Sequence, residues 1–242
     1  MEDMGKLLNE EANSIGITLS KEQERTFLTF LNLLYERNKT INIVAHSEEK
    51  EIIWRHFIDS IAIPPILHNF FVNNKHIKLL DIGTGGGFPG VPLKIIYPAI
   101  QLSLMEATNK KVDFLRDLVA ELCLDNVSIL WGRAEEFGQQ EQYREKYDVV
   151  VARALAELNT LVELVLPFVK GNGIFVAYKG PRYNEELVMA GKAIQALGGE
   201  IQDIIESDIT GTKRAFVIIR KNGITPAKYP RRAGMPNKRP IL

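Results

Sequence analysis

Cysteine is almost absent from this sequence, because Cys123 is the single one among 242 residues. One thiol excludes an intrachain disulfide. Cys123 lies in the segment 118–124, whose apolar residues have helical spacing, and we therefore expect it to pack in the core. No cluster of residues with metal-ligand spacing is visible either, so we expect no metal site.

Long apolar runs are also missing. None reaches 18 residues, the length at which a transmembrane helix becomes a candidate. The start of the chain, Met1 to Lys6, is acidic and lacks the charged-then-apolar pattern of a signal sequence. We therefore expect a cytoplasmic protein without a membrane partner. A hydrophobic fraction of 45% and a charged fraction of 25% indicate a globular α/β protein with ample core.

Acidic residues are missing from the end of the chain, although the net charge of the whole sequence is zero. Positions 209–242 carry nine Lys and Arg side chains and no Asp or Glu. Prolines interleave with the cations at 225–240, which argues against a helix or a central strand. We predict a basic extended C-terminal arm (221–242) that follows a phosphate backbone, with Tyr229 able to stack on a base. A merely solvated charged surface is the alternative. The candidate RNA contacts are Arg231, Arg232, Lys238 and Arg239.

The stretch 76–90 combines a short apolar run with a glycine-rich loop. Residues 77–82 have the continuous hydrophobicity of a parallel strand that is covered on both faces. Four glycines follow within 83–87, where the missing Cβ lets the backbone turn sharply and approach a ligand. Pro89 and Pro92 fit the first turn of a helix. We therefore predict a nucleotide-cofactor loop at a helix N-terminus, although an ordinary glycine-rich turn shares these features.

The glycine spacing indicates which cofactor the loop binds. Phe88 occupies the third glycine position of the dinucleotide pattern Gly-x-Gly-x-x-Gly, and a bulky ring there suits a cofactor without a diphosphate. The run from Asp81 to Gly87, Asp-x-Gly-x-Gly-x-Gly, resembles the first motif of class I methyltransferases that use S-adenosylmethionine. Glu106 ends the next predicted strand, where an acidic side chain can accept hydrogen bonds from both ribose hydroxyls. A solvated carboxylate at a strand end remains the alternative.

Two further strand ends carry candidate cofactor contacts. After the strand at 127–131, the backbone of Ala134 and the side chain of Glu135 could serve the adenine edge, or they could simply begin a helix. After the strand at 147–152, Arg153 suggests contact with a carboxylate or phosphate, because a guanidinium is costly to bury without an anionic partner. A salt bridge to a nearby acid would meet the same need.

Strand and helix patterns alternate from Lys75 onward. Alternation of this kind predicts a doubly wound, mostly parallel sheet whose ligands bind beyond the carboxyl ends of the strands. Gly211 supplies turn chemistry between the last two strands, which should pair antiparallel. The predicted strands are 77–82, 101–105, 127–131, 147–152, 173–178, 200–206 and 214–220, with helices near 90–97, 108–123, 155–169 and 184–197.

The first 70 residues are predicted to be helical. Ser20 and Gln23 form a capping box before a helix whose apolar residues recur on one face up to Arg37. Ser47 can cap a further helix that ends at 64–65, where two prolines follow each other. The apolar residues of the two faces are Phe27, Phe30, Leu31, Leu34, Ile52, Ile53, Phe57 and Ile61.

A His-x-x-Asp pair, His56 and Asp59, lies within this second helix and indicates a local hydrogen bond. The predicted organisation is therefore an N-terminal helical appendage (1–70), a cofactor-binding domain (71–220) and the C-terminal arm.

Two catalytic motifs are missing from the predicted domain. Methylation of an exocyclic base amine in this fold usually goes with an Asn/Asp-Pro-Pro-aromatic run at the fourth strand, where this chain has Ala152 and Arg153. Methylation of a pyrimidine carbon in RNA needs a nucleophilic cysteine, and Cys123 is predicted to lie mid-helix. The target atom therefore needs no activation. A guanine N7 qualifies, because its lone pair lies in the ring plane and can attack a sulfonium methyl group directly.

Five motifs together resemble the RsmG (GidB) family of bacterial methyltransferases, and the likeness runs from about Leu19 to the C-terminus. Each motif is weak alone, but the combination is highly specific. The chain departs from the family at Ala152, where many members have serine. The motifs are 81–93, Ile41-Asn-Ile-Val44, His56-x-x-Asp-Ser60, Val151-Ala-Arg-Ala154 and Tyr229-Pro-Arg-Arg-x-Gly-x-Pro236.

This resemblance implies a class I S-adenosylmethionine-dependent methyltransferase fold and methyl transfer to guanine N7 in 16S rRNA, free or in the small-subunit particle. It supplies no catalytic base. We further expect a monomer. A dinucleotide-dependent oxidoreductase and a non-catalytic RNA-binding protein remain the competing classes. The cofactor positions that the resemblance implies, to which the glycine loop adds Gly85, are Gly83, Phe88, Glu106, Ala107, Thr108, Ala134, Glu135 and Arg153.

Overall fold

A computed structural model of the chain describes residues 2–45, 48–63, 65–74, 76–209 and 211–241. Within these ranges seven strands form one sheet in the order β3-β2-β1-β4-β5-β7-β6. Strands β1 to β5 are parallel, whereas β7 pairs antiparallel with both β5 and β6. The seven-stranded, mostly parallel sheet predicted from the sequence is therefore confirmed. The strands are β1 (Lys78–Ile82), β2 (Gln101–Glu106), β3 (Val127–Trp131), β4 (Tyr147–Arg153), β5 (Val169–Lys179), β6 (Gly199–Ile209) and β7 (Thr212–Lys221).

Helices precede, connect and follow the strands. None of those in the described part of the chain is long and apolar enough to cross a membrane. Each helix predicted between strands is present, α8 begins at Ala134 as the alternative interpretation of that segment had it, and α11 was not predicted. The helices are α1 (Glu2–Ser14), α2 (Lys21–Asn38), α3 (Glu49–Ile52), a π-helix (Ile53–Ile58), α4 (Asp59–Ile61), α5 (Pro65–Asn73), α6 (Gly90–Ile96), α7 (Asn109–Glu121), α8 (Ala134–Phe137), α9 (Leu158–Val165), α10 (Tyr183–Ala196) and α11 (Met235–Lys238).

The sheet is buried on both faces, which explains the continuous apolar runs of its central strands. Leu79 and Val149 belong to a core that includes side chains of α1, α2, α6 and α7. Leu80 and Val150, one position further along the same strands, belong to a second core formed with α9 and α10. Successive side chains of a strand point to opposite faces, so the central strands β1 and β4 each contribute to both cores.

The strand order reverses at β1, because β2 lies on one side of it and β4 on the other. At such a reversal the connections leave the sheet in opposite directions and a crevice opens beyond the carboxyl ends of the strands. Strands β1, β2 and β4 end there at Ile82, Glu106 and Arg153. The topology therefore brings the predicted cofactor residues of three strand ends to one edge.

The N-terminal helices pack on the face of the sheet that contributes Leu79 and Val149. The capping box of α2 is present, because Gln23 N–H donates to Ser20 Oγ at 3.2 Å and Ser20 N–H donates to Gln23 Oε1 at 2.9 Å. The rings of Phe27 and Phe30 each lie 5.1 Å from the ring of Phe57. This aromatic cluster joins the helical appendage to the glycine loop, since Phe30 also stacks on Phe88 at 5.2 Å.

The second predicted N-terminal helix differs from expectation in its backbone. Ser47, the predicted cap, and Pro64 lie outside the described residues. The side chain of Glu48, at the start of α3, makes no capping hydrogen bond. Residues 53–58 then form a π-helix, a feature that often marks a functional site. The predicted apolar face is nevertheless correct, because Ile52, Ile53, Phe57 and Ile61 are fully buried.

The prediction that Cys123 packs in the core is wrong. Helix α7 ends at Glu121, and Cys123 has a positive φ of 50° in the turn that follows. Its side chain is exposed. The helical apolar spacing continues one turn beyond the end of the helix, which is why the pattern misplaced this residue.

Candidate active site

The glycine loop turns sharply between β1 and α6, as its sequence predicts. Gly85 has a φ of 59°, a conformation that L side chains rarely adopt. A Cβ atom built on Gly85 would meet nothing closer than Lys111 Nζ at 3.9 Å, so the space beside it is open. Gly83 N–H donates to Met105 O at 2.9 Å and thereby ties the loop to the end of β2.

Asp81 lies beneath this loop and is fully buried. Its Oδ2 accepts hydrogen bonds from Thr84 Oγ1 at 2.7 Å and from Gly90 N–H at 2.8 Å. Burial raises the pKa of the Asp81 carboxyl to about 6, against the opposing effect of these two hydrogen bonds. The other oxygen, Oδ1, has no hydrogen-bond partner among the residues the structure describes. A buried carboxylate oxygen of this kind calls for a donor from a ligand or an ordered water.

Glu106 is oriented by two backbone donors at the end of β2. Gly85 N–H donates to its Oε2 at 3.0 Å, and Thr108 N–H donates to its Oε1 at 2.8 Å. The side chain is buried and held against the glycine loop. Each carboxylate oxygen has a further lone pair, so the group can still accept hydrogen bonds from a ligand.

A cleft of about 400 Å³ opens at this edge of the sheet, and we call it the cofactor cleft. Its volume lies in the range that is typical of small-molecule sites. The ends of β1, β2 and β3 form one side, and the start of α9 lies opposite. Six of the nine predicted cofactor residues line it, namely Gly83, Gly85, Glu106, Ala107, Ala134 and Glu135.

The other three predicted cofactor residues do not line this cleft. Phe88 is buried between Phe30 and His56, whose rings stack on it at 5.2 and 4.9 Å. Thr108 lies at the start of α7, with its N–H bonded to Glu106. Arg153 turns toward the N-terminal helices, and its guanidinium carbon lies 5.2 Å from the ring centre of Phe88.

Arg153 forms part of a charged cluster at the end of β4. Its NH1 donates to Asp59 Oδ2 at 2.7 Å, and its NH2 lies 2.9 Å from His56 Nδ1. Arg214, at the start of β7, donates from Nε to Asp59 Oδ1 at 2.5 Å. One buried carboxylate thus pairs with two guanidinium groups from different strands. His56 and Asp59, the pair noted in the sequence, are thus both bound to Arg153.

The cluster lines a second cleft of about 470 Å³, which we call the cationic cleft. Residues 154–156 border both clefts, so the two lie side by side. Lys179 also lines the cationic cleft, and its Nζ donates to Ala156 O at 2.8 Å and to Glu186 Oε2 at 2.5 Å. Sequence patterns did not identify Arg55, Lys179 or Arg214 as site residues, since each lies on a different element with no local motif.

The C-terminal arm is folded onto the domain. Arg231 donates to the fully buried carboxylate of Glu163 from its backbone N–H at 2.9 Å and from its guanidinium at 2.6 Å. The arm also contains α11, although its prolines argued against a helix. Pro236 lies in the first turn of α11, where a missing N–H costs no hydrogen bond. The prediction of a fully extended arm is therefore wrong.

Three arm residues, Gly234, Pro236 and Asn237, line the cofactor cleft. Gly234 N–H donates to Glu135 Oε1 at 2.9 Å, so a predicted adenine contact is bonded to the arm. The other predicted RNA-contact residues, Arg232, Lys238 and Arg239, are exposed. The arm therefore combines exposed cations with a direct contribution to the cleft.

Comparison with known proteins gives a family match. A family model described as "GidB: rRNA small subunit methyltransferase G" matches residues 23–215. A ribosomal RNA small subunit methyltransferase G from Acetivibrio thermocellus is 43% identical over 238 residues, covering 98% of this chain and 96% of the relative. A protein of the same name from Pelotomaculum thermopropionicum is 42% identical over 247 residues and is matched over the full length of both chains.

Solved structures support the fold at lower sequence similarity. An O-methyltransferase from Bacillus cereus in complex with SAH aligns with a TM-score of 0.58 at 15% identity, covering 92% of this chain and 100% of that one. The structure of MtNAS in complex with MTA and tNA aligns with a TM-score of 0.53 at 13% identity, covering 92% and 87%. At these identities the alignments support the architecture alone.

Proposed function

The chain belongs to the GidB family, rRNA small subunit methyltransferase G, and from this membership we propose that it methylates 16S rRNA with S-adenosylmethionine as the donor. The finer proposal is that the acceptor is N7 of a guanine. The observation that supports methyl transfer to RNA is the meeting of six predicted cofactor residues in one cleft beside a second, cationic cleft.

The residues of the cofactor cleft fit this donor. The oriented carboxylate of Glu106 would accept hydrogen bonds from the ribose hydroxyls, and the open space beside Gly85 would admit the ligand against the backbone. Asp81 Oδ1, buried and lacking a partner within the described ranges, supports a polar ligand or a bound water beside the loop. When bound, the cofactor supplies an electrophilic methyl group on a sulfonium.

The cationic cleft is suited to the RNA. Arg55, Arg153, Lys179 and Arg214 line it, and guanidinium groups bind phosphate by paired hydrogen bonds. Because it adjoins the cofactor cleft at 154–156, RNA bound there would bring a base close to the methyl donor. The target guanine must leave its stack to reach that point, which favours a flexible loop of RNA over duplex.

The chain's contribution to the reaction is position and electrostatics. The N7 lone pair carries no proton, so no side chain has to remove one before attack. The single-turnover rate should therefore be flat with pH around and above neutrality. A steep log-linear rise through that range would instead indicate a titrating general base and would exclude the N7 mechanism as stated.

The direct test has two parts. Titration calorimetry should detect binding of S-adenosylmethionine to the purified protein. Mass mapping of modified guanosines in 16S rRNA should show one 7-methylguanosine that is missing from cells lacking the protein and returns with the intact gene. Ligand binding without any lost modification would reject the rRNA substrate, and absence of binding would reject the cofactor.

We also propose that the protein acts in the cytoplasm as a monomer. Ribosomal RNA is made and assembled there in bacteria, the organisms from which the two relatives come. Light scattering coupled to size-exclusion chromatography should give a mass near 27.3 kDa. A mass near twice that value would contradict the monomer.

A further inference from the structure

We infer that the C-terminal arm completes the cofactor cleft and that Arg231 is a positioning residue for cofactor binding. This inference rests on the proposed function, because it takes the cleft beside Glu106 as the site of the methyl donor.

The first step is the attachment of Arg231 to α9. Glu163 is fully buried, and its two oxygens accept hydrogen bonds from Arg231 N–H, Nε and NH2 at 2.6 to 3.1 Å. A buried carboxylate without its partner would be strongly destabilising, so this pair holds the arm firmly. The same guanidinium donates to Arg239 O at 2.7 Å and so ties together the two ends of residues 231–239.

A second set of contacts fixes the arm before Arg231. Arg144 donates to the carbonyl oxygens of Thr225 at 2.7 Å and of Tyr229 at 2.8 Å. Gln139 Nε2 donates to Pro230 O at 2.7 Å. These donors occupy backbone acceptors that a solvated arm would leave to water. The arm is thus anchored both at residues 225–230 and at Arg231.

From these anchors the chain passes directly along the cofactor cleft. Gly234 N–H donates to Glu135 Oε1, and Thr160 Oγ1 donates to Pro236 O at 3.3 Å. Gly234, Pro236 and Asn237 line the same cleft as the glycine-loop residues Gly83 and Gly85. Arg231 itself does not line it. Its effect on the ligand must therefore act through the wall that it holds in place.

This arrangement divides the cations of the arm between two tasks. Arg231 is committed to Glu163, whereas its neighbour Arg232 is exposed and Lys238 lies exposed at the end of α11. Phosphates bound by the exposed cations would hold the same segment against the cleft. Because coupling between two ligands is reciprocal, RNA on the arm should then strengthen cofactor binding, and cofactor should strengthen RNA binding.

The first test compares neighbouring residues of equal charge. Replacing Arg231 and Glu163 together, Arg231→Met with Glu163→Met, removes the tether without leaving a buried charge. We expect calorimetry with S-adenosylmethionine to show binding weakened about tenfold, the factor for 1.4 kcal/mol. The matched control Arg232→Met, which removes one cation beside the tether, should leave this affinity unchanged.

The outcomes separate the two proposals. Equal affinity in the tether variant and the unaltered protein would overturn the positioning role alone. Failure of the unaltered protein to bind S-adenosylmethionine would overturn the proposed function and this inference with it.

A second test needs no substitution and so does not depend on how a variant folds. Limited trypsin digestion of the full chain should be followed at the bonds after Arg232 and Lys238. The bond after Arg182, which is exposed and does not line the cofactor cleft, serves as the internal reference. Saturating S-adenosylhomocysteine should slow cleavage in the arm by roughly tenfold relative to the reference, since cleavage tracks the population of the opened segment. Equal protection of all three bonds would overturn the inference.

Discussion

The cofactor cleft and the cationic cleft share residues 154–156, yet they are built in different ways. Most residues that line the cofactor cleft lie at or just after the ends of β1 to β4, and seven of these are glycine or alanine. The cationic cleft is lined by long charged side chains from the π-helix, β4, β5, β7 and α10. A site made by backbone geometry leaves a local sequence signature, whereas a site made by converging side chains does not.

The two clefts also differ in charge. The cofactor cleft has two carboxylates and two cations, whereas the cationic cleft has four Arg and Lys side chains against three carboxylates. The excess of positive charge is small because Asp59 neutralises part of the Arg153 and Arg214 pair. Substitutions in the two clefts should therefore affect different ligands, and five predictions test that separation.

The largest expected effect is loss of cofactor binding in Gly85→Val. A side chain at this position would occupy the open space of the cofactor cleft, and the φ of 59° would strain the backbone. Calorimetry should detect no binding of S-adenosylmethionine. Gly16→Val is the matched control, because Gly16 has a φ of 78° and open surroundings far from the cleft. Normal affinity in Gly85→Val would mean that the ligand does not approach this loop.

The second prediction concerns Asp81, under the floor of the cofactor cleft. Its pKa is raised to about 6, so the folded state holds the proton more tightly than the unfolded chain does. Ionisation should thus destabilise the fold as pH rises from about 4, with the full penalty of about 3 kcal/mol present above the folded pKa. Asp81→Asn avoids this penalty and keeps an acceptor for Thr84 and Gly90.

Urea unfolding at a series of pH values measures this effect. The free energy of unfolding of Asp81→Asn minus that of the unaltered protein should rise by about 3 kcal/mol between pH 4 and pH 7. A difference that does not change with pH would show that the carboxyl ionises equally well in both states.

Glu106→Gln should weaken cofactor binding by roughly 1–3 kcal/mol, the range for leaving hydroxyl groups without a charged acceptor. The backbone N–H groups of Gly85 and Thr108 now donate to the two carboxylate oxygens of Glu106. In Glu106→Gln the side-chain NH2 group would replace one of these oxygens, so that a donor would face one of the two backbone donors. Calorimetry with S-adenosylmethionine measures the change. Glu121→Gln, at the exposed end of α7, is the charge-matched control. The same affinity in both variants would remove Glu106 from the site.

The exposed cations of the arm should appear in the salt dependence of RNA binding. Replacing Arg232, Lys238 and Arg239 by alanine should lower the slope of log affinity against log salt by about 2–3 units, at roughly 0.7 to 0.9 per phosphate contact. Arg231 is left in place because its guanidinium is bound to Glu163. An unchanged slope on small-subunit particles would show that the three cations do not contact RNA phosphates. RNA selection would then be assigned to the cationic cleft.

The smallest predicted effect distinguishes the cationic cleft from the cofactor cleft. Arg214→Gln should lower the same slope by about 0.7 to 0.9, one phosphate contact, and leave S-adenosylmethionine affinity unchanged. Arg220→Gln provides the control, because Arg220 is exposed near the other end of β7 and lies outside the cleft. Equal slopes in the two variants would argue against RNA binding in the cationic cleft.

The sequence-based predictions were more accurate for the cofactor cleft, which follows from local backbone geometry, than for the cationic cleft, which is formed by converging side chains. The predicted loop at 83–87 and the acidic strand end at Glu106 meet in one cleft, because the strand order and the chain connections leave them little freedom. Arg153 was also expected at the cofactor, which stays a prediction, and its guanidinium lines the cationic cleft. A residue at a strand end can turn to either side, and only its partners, Asp59 and His56, determine which.

The position of the C-terminal arm, like that of the Arg153 side chain, depends on partners that are distant in the sequence. Its charge and its prolines were correctly identified, and three of its four predicted RNA contacts are exposed. Its docking could not be predicted, since Glu163 looks like an ordinary acid on α9 until the fold buries it completely. Arg231 and Glu163 are 68 positions apart in the sequence, and no local pattern connects them.

The sequence by itself determined the seven-stranded sheet, the cofactor loop and the carboxylate of Glu106, because these depend on local periodicity, glycine spacing and short connections between adjacent elements. Only the tertiary structure decided that Asp59 would join two arginines and that the arm would form a wall of the cofactor cleft. Both arrangements bury charged groups from segments that are distant in the sequence. A buried charge needs an opposite charge beside it to offset its desolvation cost, and only the folded structure determines which residue is near enough.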